Sequence, residues 1–441
     1  MGGRAGFQAV GRLVAGLSER LRGWWRSRRV RRLVLFLSIV GPGLVTANAD
    51  NDAGGIATYA TVGAHYGYDL LWALILITIS LAVIQEMAAR MGAVTGRGLA
   101  DLIREEFGVK WAFVAMSTLL IANLAVTASE FAGMAAALEI FHLSRYLTVP
   151  LMALLIWWAV VARSYRGLER IFLVLSLSFL TYIVSGFLCK PDWSEVVRHV
   201  FIPTFRLEPD FLLLFVAMVG TTITPWMQFY LQASVVDKGL GTQDLKYERW
   251  DVLLGSLWSD LVAFFIIVSA AGTLFARGVR IETAGDVAAA LEPLAGRYAA
   301  VLFAVGLFGA SALAAAILPL STAYAISEAF GFERSVDRSW REAPVFFGLF
   351  TAILGSGALL TLFPGLSLVK VMLFAQNVNG FLLPIILVFM LKLVNNRRLM
   401  GEHVNGPLYN LVVWATALFI IALTVLLLWQ ALLPGFPALS L

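Results

Sequence analysis

Residues 41–63 read GPGLVTANADNDAGGIATYATVG, and they lie within an apolar run, 33–63, long enough to cross a bilayer. Asp50, Asn51, Asp52 and the pair Gly54–Gly55 fall near its middle. A charged side chain at the bilayer centre costs at least about 2.5–3.5 kcal/mol, and irregular backbone at that depth is tolerated only where protein or a wet cavity surrounds it. The stretch therefore predicts two half-helices joined by unwound backbone near 50–55, with its polar groups facing a cavity. A helix N-cap is the structural alternative for Asp52.

A second interruption occurs in FLLLFVAMVGTTITPWMQFYLQASVVDKG, residues 211–239. Gly220, Thr221, Thr222 and Thr224 precede Pro225, which has no backbone N–H and frees carbonyls near Thr221 and Thr222. Hydrophobic residues make up 60% of the 441 positions and charged ones only 14%, with a mean hydropathy of +0.83. This composition is that of an all-α polytopic membrane protein. Eleven spans are expected, at 33–63, 69–90, 111–138, 146–163, 167–188, 210–236, 250–276, 298–329, 344–363, 367–392 and 408–431.

The two interruptions then fall in spans one and six. Broken helices at corresponding places point to two inverted five-helix repeats with the ligand near the midplane between them. The expected organisation is a basic arm at 1–32, a first repeat at 33–188, an external loop at 189–209, a second repeat at 210–392 and an added span at 408–431. With the N-terminus cytoplasmic, 25 of the 33 Lys and Arg fall inside and 8 outside, which places the C-terminus outside. The expected location is the plasma (cytoplasmic or inner) membrane. The net charge of +5 is thereby a topology signal, and no nucleic-acid partner is expected. Phe7, Val10, Val14, Leu17, Leu21 and Trp24 fall at helical spacing among arginines in the arm, which fits a surface-lying helix or a plain positive-inside segment equally. Cys189 is the only cysteine, which excludes disulfides within the chain and multi-thiolate metal sites.

Asp50 and Asp52, amide oxygens, threonine hydroxyls and freed carbonyls are hard oxygen donors of the kind that suit Mg²⁺, Ca²⁺ or Mn²⁺. No Cys or His lies at either break, and Met218 and Met227 only flank the second. A small amino acid is the second ligand class that broken helices allow, but the two aspartates would repel its carboxylate. An enzyme is the third, and no HExxH, nucleophile elbow or Cys–His arrangement supports one. Glu130 and Asp260 are further acids within spans, Gln376, Asn377 and Asn379 cluster on span ten, and Glu86 and Arg90 have the spacing of a local helix pair.

The first two spans, from GPG at 41–43 through Gly67-Tyr68 and Leu70-Leu71-Trp72 to Gln85, Ala88-Ala89 and Val94-Thr95-Gly96, resemble the NRAMP metal-ion transporters. That family typically shows GPG…DPGN…A…GYxLLW…QxxAAxLGxVTG, and the eleven-span layout extends the likeness over most of the chain. The site residues depart from the pattern. Asp52-Ala53-Gly54-Gly55 stands for Asp-Pro-Gly-Asn, and TTITPW stands for Ala-Thr-Val-Met-Pro-His. Thr224 thus occupies the position of the metal-binding methionine and Trp226 that of the histidine. Glu130-Phe131-Ala132-Gly133 keeps one of two acids on span three.

These departures are most similar to the NRAMP-related magnesium transporter branch. Loss of a thioether removes preference for soft metals, and a roomier site suits an ion that gives up water reluctantly. The resemblance implies a leucine-transporter-like fold and a monomeric carrier of Mg²⁺ and also Mn²⁺, with no cofactor. Asp52, Gly55, Thr221, Thr224, Gln376 and Asp50 are the expected ion-holding residues. Glu130, Gly133 and Trp226 mark an altered proton path. Uniport-like uptake without obligatory proton movement is expected, with a proton-coupled Mn²⁺/Fe²⁺ symporter and a cation-coupled amino-acid symporter as the alternatives.

Overall fold

The computed structural model describes residues 51–162, 180–333 and 339–432, and every regular element in them is helical. The principal helices are α1 (Ala53–Tyr66), α2 (Leu71–Thr95), α3 (Val109–Glu139), α4 (Arg145–Val161), α5 (Thr181–Leu188), α6 (Pro209–Thr222), α7 (Pro225–Asp237), α8 (Leu245–Thr273), α9 (Ala299–Phe330), α10 (Pro344–Thr361), α11 (Leu368–Val394) and α12 (Pro407–Leu432). Taking α6 and α7 as one broken span, eight spans among the described residues are long and apolar enough to cross a membrane, and α4 is a shorter apolar helix. The basic arm, the first half of span one, Asp50 and much of span five lie outside the described residues.

The helices pack in two groups. In one, α8 lies against α1 and α2, while α2 also contacts α7. In the other, α3 lies against α9 and α10, and α4 packs on α3, α9 and α10. Shifting each span number by five maps these pairings onto one another: one with seven becomes six with two, and three with nine becomes eight with four. That is the layout of a leucine-transporter-like fold with two five-helix repeats. Helix α11 touches α3, α6 and α1 and so bridges the groups.

Position in the bundle follows from burial. Of the most apolar 18 residues of the α6–α7 span, 94% are buried, against 28% for α12. The broken span is central and the last one peripheral, with Leu411, Leu418, Leu428 and Trp429 exposed in the manner of a lipid-facing surface. Close helix contact beside the break depends on glycine. A Cβ on Gly220 would lie 2.0 Å from the Gln376 carbonyl oxygen, and one on Gly380 would lie 2.6 Å from the Val216 carbonyl oxygen. Small residues let α6 and α11 meet backbone to backbone.

One boundary corrects the sequence reading. Helix α1 begins at Ala53, so Gly54 and Gly55 belong to its first turn and not to unwound backbone. Asp52 is the cause: its side chain caps the helix and makes the next residues helical.

Candidate functional site

The N-terminus of α1 organises the first part of the site. Asp52 Oδ1 accepts from the Gly55 N–H at 2.7 Å, and the Asp52 carbonyl accepts from Ile56 N–H at 3.0 Å. The Ala53 N–H instead donates to Glu130 Oε2 of α3, at 3.3 Å. Two carboxylates thus sit at the positive end of one helix, where orphan N–H groups favour negative charge. Asp52 is 3% exposed and Glu130 fully buried, they lie side by side, and neither has an ion pair among the described residues. Buried like charges without a counter-charge are costly, and a bound cation would offset that cost.

Gln376 of α11 completes this side. Gly54 leaves room for it, since a Cβ there would lie 1.9 Å from Gln376 Nε2. Its amide oxygen accepts from Asn379 Nδ2 at 2.9 Å, while Gln376 Nε2 faces the Asp52 carboxyl and Asn379 Oδ1 has no partner among the described residues. Turning both amides over keeps that bond, with donor and acceptor exchanged, and directs the Gln376 oxygen toward Asp52. In this role Asn379 positions the donor, a part that residue spacing did not reveal.

The second break lies between α6 and α7, with Ile223 at φ −120, ψ 67 and Thr224 at φ −72, ψ 142. Pro225, four residues after Thr221, leaves the Thr221 carbonyl without its helical donor. The Thr221 and Thr224 hydroxyls are buried and unpartnered. Thr222 donates its own hydroxyl hydrogen to the Met218 carbonyl, so Tyr59 OH donates to Thr222 Oγ1, at 2.7 Å. This bond ties α1 to the second break. Because α1 and α6 run antiparallel, with the end of α1 beside the start of α6, the residues after Thr222 approach the level of Asp52. Tyr59 escaped the sequence reading, although it lies two turns from Asp52.

The remaining expected positions divide clearly. Gly55 does not offer an unwound carbonyl, because it is helical, and its N–H is used by Asp52. Gly133 is a packing point: a Cβ would lie 2.3 Å from Ala53 Cβ and 2.4 Å from Ser311 Oγ. Trp226 is buried edge-on to Tyr230, with ring centroids 5.8 Å apart. Among the described residues no group of three or more His, Cys, Asp or Glu could hold a metal ion.

A cavity of about 1010 Å³ opens at the end where α1 and α3 finish and α6 and α11 begin. Its lining includes Thr61, His65, Glu139, Asp210, Arg280 and Asn377, the last adjoining Gln376. At the opposite end Glu86 accepts from Arg90 at 3.1 Å and Arg249 at 2.8 Å, and Arg90 also donates to the His403 carbonyl and to Asn405. The local Glu86–Arg90 pair expected from the sequence is therefore part of a network joining α2, α8 and the segment before α12.

A family model described as natural resistance-associated macrophage protein-like matches residues 43–430. The chain is 28% identical over 438 residues to the divalent metal cation transporter MntH of Deinococcus radiodurans, covering 95% of each. It superposes on the Eremococcus coleocola manganese transporter with a TM-score of 0.69 at 22% identity, covering 90% of this chain and 86% of the other. A closed form of the nucleobase-cation-symport-1 family transporter Mhp1 gives 0.55 at 14% identity, covering 89% and 93%. At those identities the structural likeness is one of fold.

Proposed function

We propose, for a chain that belongs to the natural resistance-associated macrophage protein-like family, that it carries divalent metal ions across the membrane by alternating access, chiefly Mg²⁺ and also Mn²⁺. It is a transporter and not an enzyme. The observation that supports this ion choice is the donor set at the two breaks. Asp52, Gln376 and the unpartnered hydroxyls of Thr221 and Thr224 are all oxygen or amide groups, with no thioether or imidazole at either break. Such donors suit hard ions; that Ca²⁺ passes poorly is what the resemblance to the NRAMP-related magnesium transporter branch implies.

In this reading Asp52 is the charged ligand, held in place by the Gly55 N–H; Thr224, the Thr221 carbonyl and Gln376 add neutral oxygens. The cavity of about 1010 Å³ is then a vestibule that faces outward, by the distribution of Lys and Arg. Uptake runs down the ion's own gradient and the membrane potential, which supplies about 4.6 kcal/mol per 100 mV for a divalent ion. Gly133 and Trp226 carry no group that changes charge near neutral pH, so no proton relay spans those positions.

Proton-coupled Mn²⁺ symport is the second reading, and Glu130 is the observation favouring it. This acid is hydrogen-bonded to the Asp52 carboxyl, an arrangement in which the two can hold one proton between them. Liposomes at fixed membrane potential with a trapped pH dye separate the two. Mg²⁺ uptake, inhibited by Mn²⁺ and without lumenal acidification, is expected. Acidification in proportion to metal uptake, or Mn²⁺ uptake with no Mg²⁺ uptake, would establish the second reading.

A further inference from the structure

We infer that the chain holds a small monovalent cation, Na⁺ in preference to K⁺, at a second site between α2 and α8 centred on Asp260. This site stands apart from the divalent-ion reading and does not use Asp52, Thr221, Thr224 or Gln376.

Asp260 is 4% exposed, and among the described residues its carboxylate meets the Thr78 side chain and no counter-charge. Thr78 of α2 lies beside it, with its hydroxyl hydrogen spent on the Leu74 carbonyl at 2.8 Å, so it presents lone pairs. Ser256 precedes Asp260 by one turn and shares its face of α8. It is 1% exposed, and its hydroxyl has no partner among the described residues. The two helices run antiparallel in a register marked by Arg249 on Glu86 at one level and Asp260 beside Thr78 at another. Ser256 falls between these levels. Asn51 reaches α8 from the first break, donating to Ser259 at 3.4 Å, one residue from Asp260, and its Oδ1 is buried and unpartnered.

Buried polar groups left without partners are costly, and several converging oxygens are what a cation requires. No Lys, Arg or His among the described residues pairs with Asp260. Among the described residues a single carboxylate stands here among neutral hydroxyl and amide oxygens, a set that balances one positive charge. A divalent ion there would leave one charge uncompensated in a buried setting.

The test is binding of radioactive sodium to the full-length protein in nanodiscs, with choline chloride maintaining ionic strength. Saturable binding is expected, competed by excess Na⁺ better than by K⁺ and abolished by Asp260→Asn, while Mg²⁺ binding survives in that variant. Ser256→Ala and Thr78→Val are expected to weaken Na⁺ binding several-fold, and they decide the matter if Asp260→Asn does not fold. Absence of saturable Na⁺ binding, or Na⁺ titrations unchanged in the variants, would overturn the site. So would loss of Mg²⁺ or Mn²⁺ binding in Asp260→Asn with Na⁺ inert, which would assign the carboxylate to the divalent route.

Discussion

The two helix breaks are made by different chemistry. At the first, an aspartate caps a new helix: Asp52 binds the Gly55 N–H, and Glu130 takes the Ala53 N–H. At the second, proline stops α6 and frees the Thr221 carbonyl, beside Thr221 and Thr224 hydroxyls that have no partner among the described residues. One break supplies charge and N–H groups, and the other supplies neutral oxygens. On the proposed reading, attraction for a cation would rest mainly with the first repeat, and discrimination among cations mainly with the second.

The sharpest way to break this division is Asp52→Ala. Charge-assisted contacts are worth about 1.5–3 kcal/mol, so apparent affinity for Mg²⁺ in liposome uptake should fall about 10- to 100-fold. Near-wild-type uptake in a folded variant would remove the ligand role and leave Asp52 as a cap alone. Gly133→Ala examines the support beneath the first break. Its new Cβ meets Ala53 and Ser311, and overpacking should destabilise the protein by about 1–3 kcal/mol, read as a lower unfolding temperature in detergent. An unchanged unfolding temperature would show that α1, α3 and α9 are not in close contact there.

Thr224→Met tests the second break. A thioether should strengthen inhibition of uptake by Cd²⁺, a soft ion, by up to about tenfold while weakening Mg²⁺ uptake. Equal inhibition in both proteins would place Thr224 away from the ion. The smallest effect is expected for Tyr59→Phe, which deletes the hydrogen bond joining the breaks. A loss of about 0.5–1.5 kcal/mol, again read from unfolding, is the ordinary size for one such bond.

Much of this plan is local chemistry and so is legible in the sequence. Pro225 after a threonine run ends α6 wherever the chain is placed, and Glu86–Arg90 is a pair that helical spacing creates. The first break was harder to position because Asp52 followed by two glycines fits both an unwound segment and a capped helix. Capping prevails because the Gly55 N–H needs an acceptor and Asp52 supplies one. Contacts between distant segments leave no such local mark. Gln376 against Gly54, Tyr59 on Thr222, Asn51 on Ser259 and Arg249 on Glu86 each join segments more than 160 residues apart, and only packing of the two repeats creates them.

On the proposed reading one divalent ion is held between the two breaks, by charge from the first and neutral oxygen from the second. The most direct measurement is anomalous X-ray scattering from crystals of the protein soaked in Mn²⁺. The strongest peak is expected in contact with the Asp52 carboxylate and the Thr224 side, with Gln376 beside it and no sulfur or imidazole ligand. A strongest peak in the vestibule near His65 and Glu139, or at Asp260 with none at Asp52, would contradict it.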